Sequence, residues 1–246
     1  MPTWYPPPQS LNPDRDEIHV WRASLDQTPS RIDSLLTVLS TDERERAGRF
    51  YFQRDRYHYI VARGVLRMIL GRYLMIQPDR VRFCYSPYGK PALAGQQGGD
   101  SLRFNLSHSG GLVLYAVAWG RELGIDIESV REELADRGVA ERFFSAPEIA
   151  LLRTLPEDMW PRAFFNCWTR KEAYIKALGE GLSHPLHEFD VSLVPGEPAA
   201  LLSTRRDPKE ASCWSLCELE AGPDYAAALA VKGHDWRLKC WQWPDE

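Results

Sequence analysis

Long apolar runs are missing from this chain. The longest, Leu112 to Trp119, is far too short for a bilayer, which needs about 20 apolar residues. The segment Met1-Pro2-Thr3-Trp4-Tyr5-Pro6-Pro7-Pro8 has no apolar signal core, so a cytoplasmic protein is expected. Cysteine is scarce: Cys84, Cys167, Cys213, Cys217 and Cys240 are odd in number and include no closely spaced double pair. That spacing argues against a zinc ribbon or a disulfide scaffold and fits a reducing compartment. Also absent are a Gly-x4-Gly-Lys-Ser/Thr loop, a Gly-x-Gly-x-x-Gly turn after a strand and a Gly-x-Ser-x-Gly elbow. A P-loop nucleotidase, a dinucleotide-binding enzyme and an α/β-hydrolase therefore lack their signatures. There is no excess of positive charge either. With 30 Lys and Arg against 34 Asp and Glu, the formal net charge is -4, which argues against a general nucleic-acid binder and means that a polyanionic ligand would need a local basic cluster.

What remains is an ordinary globular composition, 246 residues with 44% hydrophobic, long enough for one large core or two smaller ones. Ile18 to Trp21 reads as a strand, Ser30 to Leu39 as a helix, and Asp42 to Tyr73 as a helical region crowded with arginines. Val81 to Tyr85 alternates like a strand and runs into the turn-forming Ser86-Pro87-Tyr88-Gly89-Lys90-Pro91; Gln96 to Asp100 reads as an exposed loop. Strands are expected at Phe104 to Ser107, Leu112 to Trp119 and Leu123 to Glu128. Helices are expected at Arg131 to Phe144, Ala146 to Leu155 and Pro161 to Leu178, the last capped by Gly179. Phe189 to Trp243 suggests several more strands. No clear internal repeat is visible, only an echo between Arg49-Phe50-Tyr51-Phe52 and Arg142-Phe143-Phe144. A boundary near residues 119 to 122 divides the chain into 1–120 and 121–246.

Chemistry is suggested by Gly124-Ile125-Asp126-Ile127-Glu128 and Trp168-Thr169-Arg170-Lys171-Glu172-Ala173-Tyr174-Ile175-Lys176. Asp126 and Glu128, two apart on a strand, share a face, while Glu172 and Lys176 lie one turn apart on a helix. Three carboxylates suit Mg2+, which takes hard oxygen ligands and leaves positions for water and phosphate, and a neighbouring lysine suits a pyrophosphate. Taken singly, each fragment is commonplace: an acidic strand face is usually a solvated one, and an (i, i+4) Glu–Lys pair is usually a surface ion pair. Ser107-His108-Ser109 lacks the third group of a hydrolase, and His108, Ser107 or Lys90 could equally meet an anion or serve the fold. Most of Arg44, Arg46, Arg49, Arg54, Arg56, Arg63 and Arg67 read as solvated or ion-paired charges, and His184 and His187 as structural.

Taken in order, Phe50-Tyr51, Tyr88-Gly89-Lys90-Pro91, Phe104-Asn105-Leu106-Ser107-His108-Ser109, Gly124 to Glu128, Arg142-Phe143-Phe144 and Trp168 to Lys176 resemble the 4'-phosphopantetheinyl transferase superfamily, of the broad-specificity type. The resemblance implies an α+β monomer of two similar α/β subdomains related by a pseudo-twofold axis, with coenzyme A between them. The implied reaction moves the phosphopantetheinyl arm to a serine of an apo acyl, aryl or peptidyl carrier protein and releases adenosine 3',5'-bisphosphate. Asp126, Glu128 and Glu172 would then hold Mg2+, with Glu172 also the base. Lys176 would meet the pyrophosphate, and Arg46, Lys90, Ser107 and His108 the phosphates and nucleotide end. Glu43 stands where relatives often carry a second basic residue, and Tyr59 where some carry a small hydroxyl residue; Arg63 or His58 could compensate. A catalytically silent relative binding coenzyme A or a carrier protein is the alternative from another class, and a Mg2+ phosphohydrolase a second.

Overall fold

In the first half of the chain, β1 (Glu17–Ser24) leads into α1 (Pro29–Val38), α2 (Thr41–Gly48) and the long α3 (Gln53–Leu74). A short hairpin follows, β2 (Phe83–Tyr85) with β3 (Pro91–Leu93), and then β4 (Leu102–Ser109) and β5 (Leu112–Trp119). The second half repeats the order: β6 (Leu123–Ser129), α4 (Arg137–Phe143), α5 (Ala146–Leu152), the long α6 (Trp160–Leu178), the pair β7 (Phe189–Val191) and β8 (Leu201–Thr204), then β9 (Trp214–Glu218) and β10 (Tyr225–Lys232). This computed structural model describes residues 3–9, 11, 14–95 and 102–244, so the loop expected at Gln96 to Asp100 lies outside the described residues. The fold is α+β, as the resemblance implies.

In both halves the last strand is central, giving β1-β5-β4 and β6-β10-β9. One strand departs from the repeat: β11 (Arg237–Gln242) returns to the first sheet and pairs in parallel with β1, Trp241 opposite Trp21.

The layers follow from alternation along the strands. Trp21 and Ala23 of β1 and Val113, Tyr115 and Val117 of β5 face α1 and α3. Their neighbours Ile18, Val20, Leu114, Ala116 and Ala118 face Ile125, Ile127, Ala227, Leu229 and Val231 of the second sheet. On that sheet's far side, Ala226, Ala228 and Ala230 pack with the α6 residues Ala173 and Ala177. Strands buried on both faces lose their polar alternation, which is why Leu112 to Trp119 is nearly all apolar.

The repeat is carried by helix starts rather than by the aromatic echo, which falls after α2 in one half and before α5 in the other. Ser40 and Glu43 form a capping box at α2, and Ser145 and Glu148 form one at α5. Each glutamate is buried and meets cations of the long helix: Glu43 meets Arg63 at 2.5 Å and Arg67 at 2.6 Å, and Glu148 meets Lys171 at 2.9 Å.

Three expected elements are revised. The helical region from Asp42 to Tyr73 is two helices, interrupted at Arg49 to Phe52. The helix expected at Arg131 to Phe144 is shortened because Asp136 accepts from the Val139 N–H and starts α4 there, leaving a 3-10 turn at Glu132–Leu134. The helix expected to run to Leu155 ends at Leu152. Gly179 caps α6 in the left-handed region at φ 78, as expected. At the end of α3 the same position is taken by Met75, φ 53 and 89% exposed. A side chain there is strained and packs on little. Met75→Gly is expected to stabilise the protein by about 0.5–1 kcal/mol, read as a rise of a few degrees in Tm.

Candidate active site

Two sheet edges meet at the site. β4 is an edge of the first sheet and β6 an edge of the second, and side chains rather than a backbone ladder join them. Asn105 Oδ1 accepts from the Ile125 N–H at 2.9 Å, Ser107 donates to Asp126 Oδ1 at 2.7 Å, and Ser109 donates to Glu128 Oε2 at 2.7 Å. The β4–β5 turn that ends this edge is the pair Gly110-Gly111, both at positive φ, the backbone a two-residue hairpin of this type demands.

Helix α6 lies on the face of β6 that carries Gly124, Asp126 and Glu128. The contact is made through Gly124, where a Cβ would sit 2.2 Å from the Ala173 carbonyl oxygen and 2.4 Å from the Ala177 nitrogen. Only glycine lets two backbones approach this closely. The seating of α6 brings the Lys176 ammonium to 2.5 Å from Asp126 Oδ1 and 2.9 Å from Ser107 Oγ. Glu172, one turn earlier, is half-buried; burial first, and then the negative charge of Asp126, push its carboxyl up to about 7. Burial, with Asp126 adding, also raises the Glu128 carboxyl, against the opposing bond from Ser109. The three carboxylates expected from the sequence thus feel one another as a cluster.

Among the described residues, no three His, Cys, Asp or Glu side chains form a ready-made metal cage. The donor set nevertheless fits a hard divalent cation. Asp126 is 2% exposed and its Oδ2 is buried without a hydrogen-bond partner, while burial, and then the negative charge of Asp126, raises Glu172. A divalent cation would satisfy both conditions.

The remaining candidates divide between locations. Ser107 and His108, adjacent on β4, point to opposite faces: Ser107 belongs to the carboxylate cluster, while His108 opens on a cavity of about 450 Å³ lined also by Arg46, Phe50, His58, Tyr59 and Tyr85. Partial burial, then the nearby Lys176, hold the His108 imidazole below its ordinary pKa. Arg46 lies over the Tyr59 ring, and His58 bonds Asp26 at 2.8 Å. Lys90 is elsewhere: its ammonium donates to the carbonyls of Ala177 at 3.0 Å and Leu123 at 3.4 Å, bracing the end of α6 against β6. Burial, opposed by Glu122, lowers its pKa. Glu43 and Arg63 answer the question raised by the sequence, because each is buried in the other's ion pair, so neither is a free surface charge.

The motif around Glu172 separates cleanly. Arg170 binds the Ser192 carbonyl and Glu218, Lys171 binds the carbonyls of Leu186 and Phe189, and Trp168 stacks on Phe164 and meets Phe143 edge-on. These residues hold α6 in place. Sequence reasoning left Gly124, Asn105 and Ser109 without roles. A glycine inside a strand was the available signal for the first, but no sequence signal tells a serine at a sheet edge from a solvated one.

An α+β chain that crowds carboxylates, a lysine and a serine at the junction of two similar halves is organised to handle a phosphorylated substrate. The family model described as "4'-phosphopantetheinyl transferase, N-terminal" matches residues 21–119, and that described as "4'-phosphopantetheinyl transferase superfamily" matches residues 122–230. The chain belongs to the 4'-phosphopantetheinyl transferase superfamily, and transfer of 4'-phosphopantetheine is its activity. Its relatives include the 4'-phosphopantetheinyl transferase HetI of Nostoc sp., 43% identical over 98% of both chains. A 4'-phosphopantetheinyl transferase of Bacillus subtilis is 32% identical over 82% of this chain and 91% of its own. The human L-aminoadipate-semialdehyde dehydrogenase-phosphopantetheinyl transferase is 29% identical over 84% of this chain and 72% of its own.

Proposed function

We propose that this chain moves the phosphopantetheinyl arm of coenzyme A to a serine hydroxyl of apo carrier proteins of fatty acid, polyketide or peptide synthesis, using Mg2+ and releasing adenosine 3',5'-bisphosphate. The observation that carries this reading is the cluster of Asp126, Glu128 and Glu172 beside Lys176, with Asp126 Oδ2 buried and unpartnered. Asp126, Glu128 and Glu172 would hold the cation. When bound, Mg2+ supplies Lewis acidity that draws charge from the pyrophosphate. Lys176 exchanges its bond to Asp126 for the substrate's phosphates, adding positive charge where the leaving group develops negative charge. Arg46 and His108 receive the nucleotide end in the cavity, Ser107 meets the phosphates from the carboxylate cluster, and Lys90 joins them only by giving up its bonds to the carbonyls of Ala177 and Leu123. Glu172 takes the proton of the incoming serine, directly or through water. The chain works as a monomer in the cytoplasm, through subdomains 1–120 and 121–246, with β11 lent back to the first.

Carrier recognition is assigned to the start of α3, where Arg54 and Arg56 are exposed beside Tyr51 and Phe52, which are 92% and 64% exposed. Carrier domains are commonly acidic, so reversing both charges is expected to raise the Michaelis constant for carrier about tenfold with little change in kcat. An unchanged constant on every carrier tested would remove this surface from consideration.

The test of the whole reading is intact mass spectrometry of a panel of apo carrier proteins incubated with the chain, coenzyme A and Mg2+. The expected result is a gain of one phosphopantetheinyl group, abolished by a chelator. No gain on any carrier despite measurable coenzyme A binding would overturn the transferase reading, and a gain that survives chelation would overturn the Mg2+ requirement.

A further inference from the structure

We propose that Ser109 is a positioning residue that holds Glu128 in the orientation for cation binding; this rests on the reading that Asp126 and Glu128 are metal carboxylates. The β4 edge presents a polar side chain at every second position, and β6 answers it: Asn105 meets the Ile125 N–H, Ser107 meets Asp126, and Ser109 meets Glu128. Ser107 and Ser109, two apart, meet Asp126 and Glu128, also two apart, the period of facing strands, yet no backbone ladder joins this pair. The serines thus set where the two carboxylates lie relative to the first sheet.

At Ser109 the hydrogen-bond direction is determined. The Ser129 N–H donates to Ser109 Oγ at 3.1 Å, which anchors that oxygen to the backbone of β6. A hydroxyl carries one proton, and at 2.7 Å the Glu128 Oε2 is its acceptor. Ser109 therefore links the carboxylate to its own strand one residue further on, closing a small ring that restrains the torsions of a long side chain. Groups that orient metal carboxylates in this way typically change metal affinity by roughly 10–100-fold when removed.

The experiment titrates Mn2+ alone into the full chain, followed by electron paramagnetic resonance, for the wild type, Ser109→Ala, Ser109→Cys, Ser109→Thr and Glu128→Gln. Cysteine nearly keeps the shape but donates weakly, and threonine keeps the hydroxyl. Expected are loss of binding in Glu128→Gln, a Kd raised about 10–100-fold in the alanine and cysteine variants, and a threonine variant close to wild type. The Mn2+ concentration for half-maximal transfer should rise in parallel, with turnover at saturating Mn2+ changed only slightly, a pattern that a general loss of folding would not produce. If the alanine variant does not fold, the cysteine and threonine variants carry the comparison. Wild-type Mn2+ affinity in Ser109→Ala or Ser109→Cys, with binding lost in Glu128→Gln, would overturn the role of Ser109 alone. Undisturbed binding in Glu128→Gln, or none in the wild type, would overturn the carboxylate reading and this proposal with it.

Discussion

Gly124→Ala is expected to reduce kcat/KM for transfer by about 100-fold or more, the usual consequence of displacing reacting groups by about 1 Å. The added methyl would lie 2.2 Å from one backbone atom of α6 and 2.4 Å from another. Backbone offers no rotamer by which to yield, so the helix must lift from β6. Glu172 and Lys176 ride on that helix, whereas Asp126 stays on the strand, so the 2.5 Å contact of Lys176 with Asp126 is the first to open. Overpacking of this kind also costs about 1–3 kcal/mol of stability. Steady-state kinetics beside a thermal melt separate the two effects. A folded variant with wild-type kcat/KM would show that the seating of α6 does not set the geometry of the site.

The second large effect is expected far from the chemistry. Glu43→Ala leaves the guanidinium groups of Arg63 and Arg67, 7% and 1% exposed, without the carboxylate that pairs with both. Breaking a buried pair by removing one partner typically costs about 3–5 kcal/mol, or roughly 6–20 °C in Tm for a chain of this size. Glu43→Lys should be worse, adding a third cation to the cluster rather than a phosphate ligand. The pH dependence has a definite sign. Burial alone would raise the Glu43 carboxyl, but Arg63 and Arg67 outweigh it and hold the pKa below the ordinary 4.5. Its stabilisation is therefore full above that ordinary value and is lost as pH falls through the depressed one. The gap in Tm between wild type and Glu43→Ala should narrow as the pH is lowered below about 4.5. A variant that melts with wild-type Tm at neutral pH would mean that the two arginines find other partners.

These residues also show what the sequence could reveal and what it could not. The common face of Asp126 and Glu128, the one-turn spacing of Glu172 and Lys176 and the glycine cap of α6 follow from local periodicity, which sequence carries directly. Glu43 could be read this way only as the partner of Ser40 in a capping box: its burial depends on Arg63 and Arg67, and nothing local distinguishes those arginines from the solvated Arg54 and Arg56. The resemblance groups Ser107 and His108 at the phosphates and nucleotide end, yet adjacent strand positions face opposite ways, so one lies in the carboxylate cluster and the other in the cavity. The turn around Lys90 suggests a charge offered either to phosphate or to water; its carbonyl partners, Ala177 of α6 and Leu123 of β6, belong to two distant elements and have no signature. The two similar subdomains that the resemblance implies leave no visible repeat in the residues, because the duplicated order of elements survives in two capping boxes and in sheet order, not in similar strings of residues.

Strand β11 has a consequence for biosynthesis. Trp21 pairs with Trp241 across most of the chain, one of the longest-range contacts the polypeptide makes. While the ribosome is still adding residues, β1 therefore presents an unpaired edge, a template for stray strands, and contacts so distant in sequence close slowly. Nascent chains arrested before residue 237 should need chaperone protection even when everything preceding β11 has been made.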